Sequence, residues 1–356
     1  MRYFVDINQN YFEKINELIS LRLYESVSQF ILVAIENQLY LEKQGAEKTN
    51  KDIIIKKEPL VNKENLQEQI FMGENFNNIH MYNDDYNTIT MPDHSLIAKF
   101  PQKCDENYCW LWGQINRIFP IKLGLRILLN KLESKKWISF DEFINEAANI
   151  ASDMKQIIEM MASPDIRRGR TMSAGLPKYE KEDVGVVEVE QSKARYKNQF
   201  LSYLRNKDNK IDGALAQLRF INLNMDDNDI KIGITKPGAE FAKIVNPIID
   251  KKNFNETLST EEINFYIKHI KENLPGEYKA TIWLLEKINS GTNTRTSLNS
   301  VLSKDYNEMW DVNDKVINTQ RAGLMARMTE LGLIKANKQG NSVTYILNEL
   351  GKELIN

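Results

Sequence analysis

The sequence predicts a mainly α-helical chain with small β elements, in which one helix–hairpin–helix unit occurs twice. The first observation is a repeated spacing. Phe220-Ile221, a polar stretch, the strand-like Ile230–Thr235 and Gly238-Ala239-Glu240-Phe241 make one copy. Leu333-Ile334, a polar stretch, Ser342–Leu347 and Gly351-Lys352-Glu353-Leu354 make the other, offset by 113 residues (Ile221 to Ile334). That period is too long for a solenoid and marks a duplicated domain. The second observation is local chemistry. Ile230, Ile232 and Ile234 alternate with Lys231, Gly233 and Thr235, and Val343, Tyr345 and Leu347 alternate in the same way, the period-two signature of half-buried strands. Asn228-Asp229 and Gly340-Asn341 supply turn residues between the strands.

Composition fits an ordinary globular protein, with 42% hydrophobic and 27% charged residues and a net charge of −2. No apolar run is long enough for a membrane span, and Met1–Asp6 lacks the pattern of a signal peptide, so a cytoplasmic, nucleoid-associated protein is expected. The charge balance announces no nucleic-acid partner, so such a case must rest on local faces.

At the N-terminus, Tyr3, Val5 and Ile7 alternate with Arg2, Phe4 and Asp6 as a short strand. Ile15, Leu18, Ile19 and Leu23 form one helical stripe, and Phe30, Ile31, Ala34, Ile35 and Leu39 form a second behind the N-cap candidate Ser26. Strand, helix and helix within 1–43, with Tyr24–Ile31 opening the second helix, resemble the ribbon-helix-helix family of the Arc, MetJ and CopG type. The resemblance implies a homodimer whose paired ribbon enters the DNA major groove. Tyr3, Val5, Ile7, Phe30, Ile31, Ala34 and Ile35 would then form the dimer core, with Arg2 and Phe4 facing DNA. Phe4 and Asp6 depart from what base reading requires, so dimerisation is the stronger implication.

Residues 44–104 read as a polar linker. Cys104 and Cys109 have four residues between them, with no second pair to complete a zinc site, so no metal or cofactor is expected. A first domain is expected over 105–250. Trp110 and Trp112 open it as packing residues, Pro120 starts a helix, and Trp137–Phe140 gives a short strand with Ser139 as N-cap. A long amphipathic helix then runs through Phe143, Ala147, Ile150, Met154, Ile157 and Met161.

The stretch 163–190 is a basic insertion in which Pro164, Gly169, Gly175 and Pro177 interrupt helix. Arg167, Arg168 and Arg170 there either clamp phosphate or pair with nearby acids. The next helix is expected over Gln191–Arg205, burying Tyr196 and Phe200. Its opposite side would present Gln191, Arg195, Asn198, Ser202 and Arg205, residue types that grip phosphates and read base edges.

A second domain is expected over 251–356. Ser259 with Glu262 is a capping box, and Pro275-Gly276 ends that helix. Ile282, Leu285 and Ile288 mark the next helix, and Leu298, Val301 and Leu302 the one after. The last long helix buries Ile317, Leu324, Met328 and Leu331. It shows Asn318, Thr319 and Ala322 outward, with Arg321 and Arg327 flanking the buried stripe. Lys335 and Lys338 on the following hairpin suit phosphates.

A last helix ending in Leu-x-x-Ile, a β-hairpin and a short closing helix resemble the winged helix-turn-helix family. With no phosphate loop and no hydrolase or metalloprotease motif, the chain reads as no enzyme. The two resemblances together imply a dimeric, sequence-specific regulator of prokaryotic or archaeal type, partnered by double-stranded DNA and by itself. Two readings stay open beside it: a plasmid or viral replication initiator, and a protein-docking scaffold that uses the second winged helix and binds no DNA.

Overall fold

A computed structural model describes residues 91–101, 110–162, 166–205, 210–226, 229–310, 314–339 and 342–356. All of them belong to one compact unit, Gln69–Asn356. The expected ribbon-helix-helix, with Arg2, Phe4 and the dimerisation residues, lies outside the described residues, as do Cys104 and Cys109. The unit is mainly helical with three small sheets among the described residues.

The first copy opens with α1 (Phe119–Leu132), then β1 (Ile138–Ser139) and α2 (Phe140–Met161), which Ser139 caps through its hydroxyl as expected. Then come α3 (Ile166–Met172), α4 (Val186–Tyr196) with a terminal π turn over Lys197–Leu201, and a hairpin of β2 (Tyr203–Arg205) and β3 (Lys210–Asp212). A single helical turn, α5 (Ala214–Gln217), leads into β4 (Ile221–Asp226), β5 (Asp229–Ile234) and α6 (Lys236–Lys243). The sheet order is β1-β5-β4, all antiparallel.

The connecting stretch holds α7 (Pro247–Lys251) and α8 (Thr260–Asn273). The second copy comprises α9 (Pro275–Asn289), α10 (Arg295–Trp310), α11 (Asp314–Glu330), β6 (Ile334–Gln339), β7 (Ser342–Leu347) and α12 (Glu349–Ile355). Thr294, just before α10, bridges Thr344 of β7, the counterpart of the β1–β5 pairing.

The duplication extends to individual atoms. The Thr235 N–H donates to Phe220 O, and the Asn348 N–H donates to Leu333 O, both at 2.9 Å. The Thr235 hydroxyl donates to Arg219 O (2.9 Å), and the Asn348 amide donates to Gly332 O (3.0 Å). Arg219 and Gly332 both carry left-handed backbone, φ 61° and 68°, as the residue that ends a helix often does. A Cβ on Gly238 would lie 2.1 Å from Phe220 O, and one on Gly351 would lie 2.2 Å from Leu333 O. The glycines of the sequence repeat are therefore set by the same close approach of the closing helix to the start of its hairpin.

The offset also exposes a difference. Shifted back by 113 residues, α11 would cover 201–217, where the first copy has β2, β3 and only the last turn, α5. A hairpin has replaced most of the helix that precedes the repeated hairpin.

The two copies share one hydrophobic core, from Leu111 and Phe119 through Phe220 and Tyr266 to Leu331 and Leu347. Residues 91–101, at the end of the expected linker, lie along the first hairpin: the Ala98 N–H donates to Ile234 O at 2.8 Å. Arg219 sits 4.3 Å from the Phe100 ring centroid. No helix among the described residues is long and apolar enough to cross a membrane.

Candidate functional site

Two buried ion pairs anchor the segments around the copies, one between α1 and α8 and one between α9 and α11. Lys122 of α1 reaches Glu262 at 3.0 Å with both side chains wholly buried, and donates to the Phe241 and Ile244 carbonyls at 2.5 and 2.6 Å. Those carbonyls end α6, where a cation is favoured. Burial lowers the Lys122 pKa to about 8 and raises that of Glu262. Glu262 also closes the capping box on the Ser259 N–H (2.7 Å), as its spacing predicts.

At the other end, Arg327 of α11 holds Glu277 of α9 at 2.8 Å. The second Glu277 oxygen accepts from the Leu111 N–H at 3.0 Å, and Arg327 Nη1 donates to Ile115 O. Glu330, at the end of α11, accepts from the Ile118 N–H (2.5 Å) and the Phe119 N–H (3.3 Å). It thereby satisfies the N-terminus of α1, which has no capping side chain of its own.

The segment 110–118 therefore lies along α11 and covers part of it. The contact is backbone to backbone: a Cβ on Gly113 would fall 2.2 Å from Thr319 O, and one on Gly323 would fall 2.1 Å from Gly113 O. Beside this seam run two adjoining cavities. An open groove of about 810 Å³ is lined by Gly113, Gln114, Asn116, Gln199, Lys315 and Asn318, with Thr319, Arg321, Ala322 and Gly323. A smaller one of about 310 Å³ is lined by Trp112, Gln114, Ile115, Asn198 and Gln199, with Tyr203, Asp212, Gly213 and Gln217. Gln114 and Gln199 belong to both.

The larger wall is ordered by a chain of side chains. Arg321 Nε donates to Asn299 Oδ1 (2.5 Å), Asn299 donates to Asn318 Oδ1 (2.5 Å), and Asn318 donates to Asp314 O (2.9 Å). In the smaller cavity Asp212 accepts from Gln217 (2.7 Å) and from the Tyr203 hydroxyl (3.4 Å), while Gln217 accepts from the Trp112 N–H (3.3 Å). Burial and the neighbouring Asp212 raise the Tyr203 pKa, so its hydroxyl stays protonated.

Several expected positions shift. The helix expected over Gln191–Arg205 ends at Leu201. Ser202 is extended (φ −162°, ψ 158°) and fully buried, with its hydroxyl on Leu201 O, so it cannot face DNA. The cause is local: β2 pairs with β3, and Gly213 (φ 99°) brings its backbone within van der Waals reach of Leu201 O and Ser202 Cα. Gln191, Arg195 and Asn198 are exposed on α4 and its π turn, and Arg205 is exposed on β2.

Arg327 does not flank the buried stripe. It is wholly buried, because Glu277 and the Ile115 carbonyl satisfy its guanidinium. Gly169 does not interrupt helix either. α3 runs through it, because a residue without Cβ lets α3 pack on Glu159 and Ala162 of the α2 end. Arg170 is exposed on α3, and the side chains of Arg167 and Arg168 lie outside the described residues.

Trp112, expected to pack inside, is 48% exposed at the smaller cavity, whereas Trp110 is buried against Tyr306 (centroids 4.9 Å). Lys335 and Lys338 are exposed on β6. Sequence reasoning missed Gln114, Gln199 and Lys315, because nothing local signals a groove formed by segments far apart in the chain. The structure brings Asn198 of the first copy and Asn318, Thr319 and Arg321 of the second to this one surface. Gln191, Arg195 and the two lysines do not line it. No family model, no curated protein and no solved structure matches the chain.

Proposed function

We propose that this chain is a sequence-specific binder of double-stranded DNA, acting as a homodimeric transcription regulator whose two copies are winged helix-turn-helix domains. The observation that carries the reading is topological. In each copy a short extended segment after the first helix pairs with the second strand of the terminal hairpin, through β1 with β5 and through Thr294 with Thr344. A helix N-terminal half with Lys315 and Asn318 exposed, followed by a hairpin with Lys335 and Lys338 exposed, suits a groove-and-phosphate contact by the second copy. In the first copy Gln191 and Arg195 supply the exposed polar face.

The test is retention of genomic DNA fragments across a salt series. Selective retention with a steep negative salt slope supports the reading, and no retention at low salt refutes it. Arg195→Ala with Asn198→Ala should cost selectivity. A docking scaffold is the second reading, favoured by one observation. The sequence Asp226-Asp227-Asn228-Asp229, where β4 gives way to β5 beside a half-exposed Met225, is acidic and would repel phosphates.

A further inference from the structure

We propose that the cavity pair at the junction of the two copies is a binding site for an unpaired nucleotide, with the base held at Trp112 and Tyr203 and the phosphate toward Arg321 and Lys315. Four observations converge on that chemistry. Trp112 is a large aromatic left 48% exposed at a concave site, with its backbone pinned by Gln217 and through it by Asp212, which also holds Tyr203. Aromatic side chains so placed offer stacking faces that accept any base.

The side-chain amides of Gln114, Asn116, Asn198 and Gln199 make no hydrogen bond among the described residues. Each amide both donates and accepts, which matches the mixed donor and acceptor edge of a nucleobase. Lys315 forms no ion pair among the described residues, and Arg321 lies on the same groove wall, so the far end is cationic. Asp212, the one acid among the described residues lining either cavity, is already engaged by Gln217, the Gly213 N–H and Tyr203. The smaller cavity, about 310 Å³, is within the size range of small-ligand sites.

A base inside a duplex shows its faces only to its stacked neighbours, so a ligand that reaches Trp112 must be single-stranded, flipped out or a free nucleotide. The proposal therefore differs from duplex reading and does not need it.

The experiment is a fluorescence titration of the full chain with a short single-stranded oligonucleotide, with the free mononucleotide, and with the duplex of the same sequence. Trp112→Phe identifies the Trp112 signal among the five tryptophans. Quenching by the single strand or the mononucleotide is expected, and the tighter of the two identifies the natural source. Read by anisotropy of a dye-labelled single strand, which does not depend on the Trp112 signal, Trp112→Ala and Gln199→Ala should each weaken that binding by about tenfold or more, while Trp112→Phe keeps most of it. The proposal is overturned if neither ligand binds the wild type, or if both alanine variants bind as the wild type does. Duplex retention unchanged in Trp112→Ala, with no single-strand or nucleotide binding, leaves the regulator reading standing without this site. Single-strand binding without duplex retention does the reverse.

Discussion

Breaking the Arg327–Glu277 pair should show whether segment 110–118 is locked onto the second copy by buried charge. Both side chains have no solvent exposure, and each also satisfies the backbone of segment 110–118. Arg327→Met leaves a buried carboxylate without its cation, a loss of about 3–5 kcal/mol if Glu277 stays ionised. Glu277 has an escape that arginine lacks. Burial already raises its pKa, and without Arg327, which opposes that rise, the carboxyl can take a proton. A folded-state pKa above the unfolded value means stability is kept below the ordinary glutamate range and lost as pH rises through the folded value. Arg327→Met should therefore be less destabilised at pH ~5 than at pH ~7. Glu277→Gln leaves a guanidinium that cannot deprotonate, so its loss should be the same at both. Urea unfolding of both singles and the double variant gives a cycle, with an expected coupling of about 1–3 kcal/mol. Amide exchange over 110–118 should accelerate in both singles. Additive losses with no pH contrast would refute the reasoning.

Three further outcomes follow from the same geometry. His269 is buried between Phe220 and Phe265, donates through Nε2 to Leu218 O (2.8 Å), and has its pKa lowered by burial to about 4. A base with a depressed folded pKa contributes stability that is present above its ordinary value and lost as pH falls, here between about 6.5 and about 4, by about 3 kcal/mol. Urea midpoints against pH measure this, and His269→Gln should flatten the profile; an unchanged profile would count against it. Gly238→Ala and Gly351→Ala should each cost about 1–3 kcal/mol, since both Cβ atoms would collide with a carbonyl oxygen. A neutral result at either by thermal unfolding would break the structural equivalence of the copies. If the second hairpin grips phosphates, Lys335→Ala with Lys338→Ala should flatten the salt slope of DNA retention by about two; a slope left intact would remove that hairpin from the interface.

What the sequence revealed, and what it hid, follows the range of the interactions. Ser139 at its N-cap, Pro120 in the first turn of α1, the Ser259–Glu262 box and the second strand of each hairpin depend on neighbours a few residues away, and pattern reading found them. Arg327 and Ser202 were misplaced for the opposite reason. Helical periodicity places a charged or hydroxyl side chain outward, but Glu277 is 50 residues from Arg327, and Ser202 is buried by a hairpin that closes after it. Trp112 shows the same limit from the other side. A tryptophan in an apolar run reads as core, and only the seam between segment 110–118 and α11 leaves it facing a cavity.

The difference between the copies bears on how they would divide labour. In the second copy a full helix precedes the terminal hairpin, with Lys315 and Asn318 exposed in its first half and its later turns covered by 110–118. In the first copy that stretch is a β-hairpin, and α4 presents Gln191 and Arg195 from a different place in the topology. Two helices that would read equivalent grooves if the copies were identical are thus not equivalent here. Gln114 and Gln199 instead line both cavities at the seam where the copies meet. The buried Arg327–Glu277 pair and Glu330 hold segment 110–118 on that seam, so the surface it forms is preorganised rather than assembled on binding. A ligand that uses both walls would sense any loosening of that pair. Arg327→Met should therefore weaken nucleotide binding at Trp112, although Arg327 lines neither cavity and reaches the smaller one only through the Ile115 carbonyl.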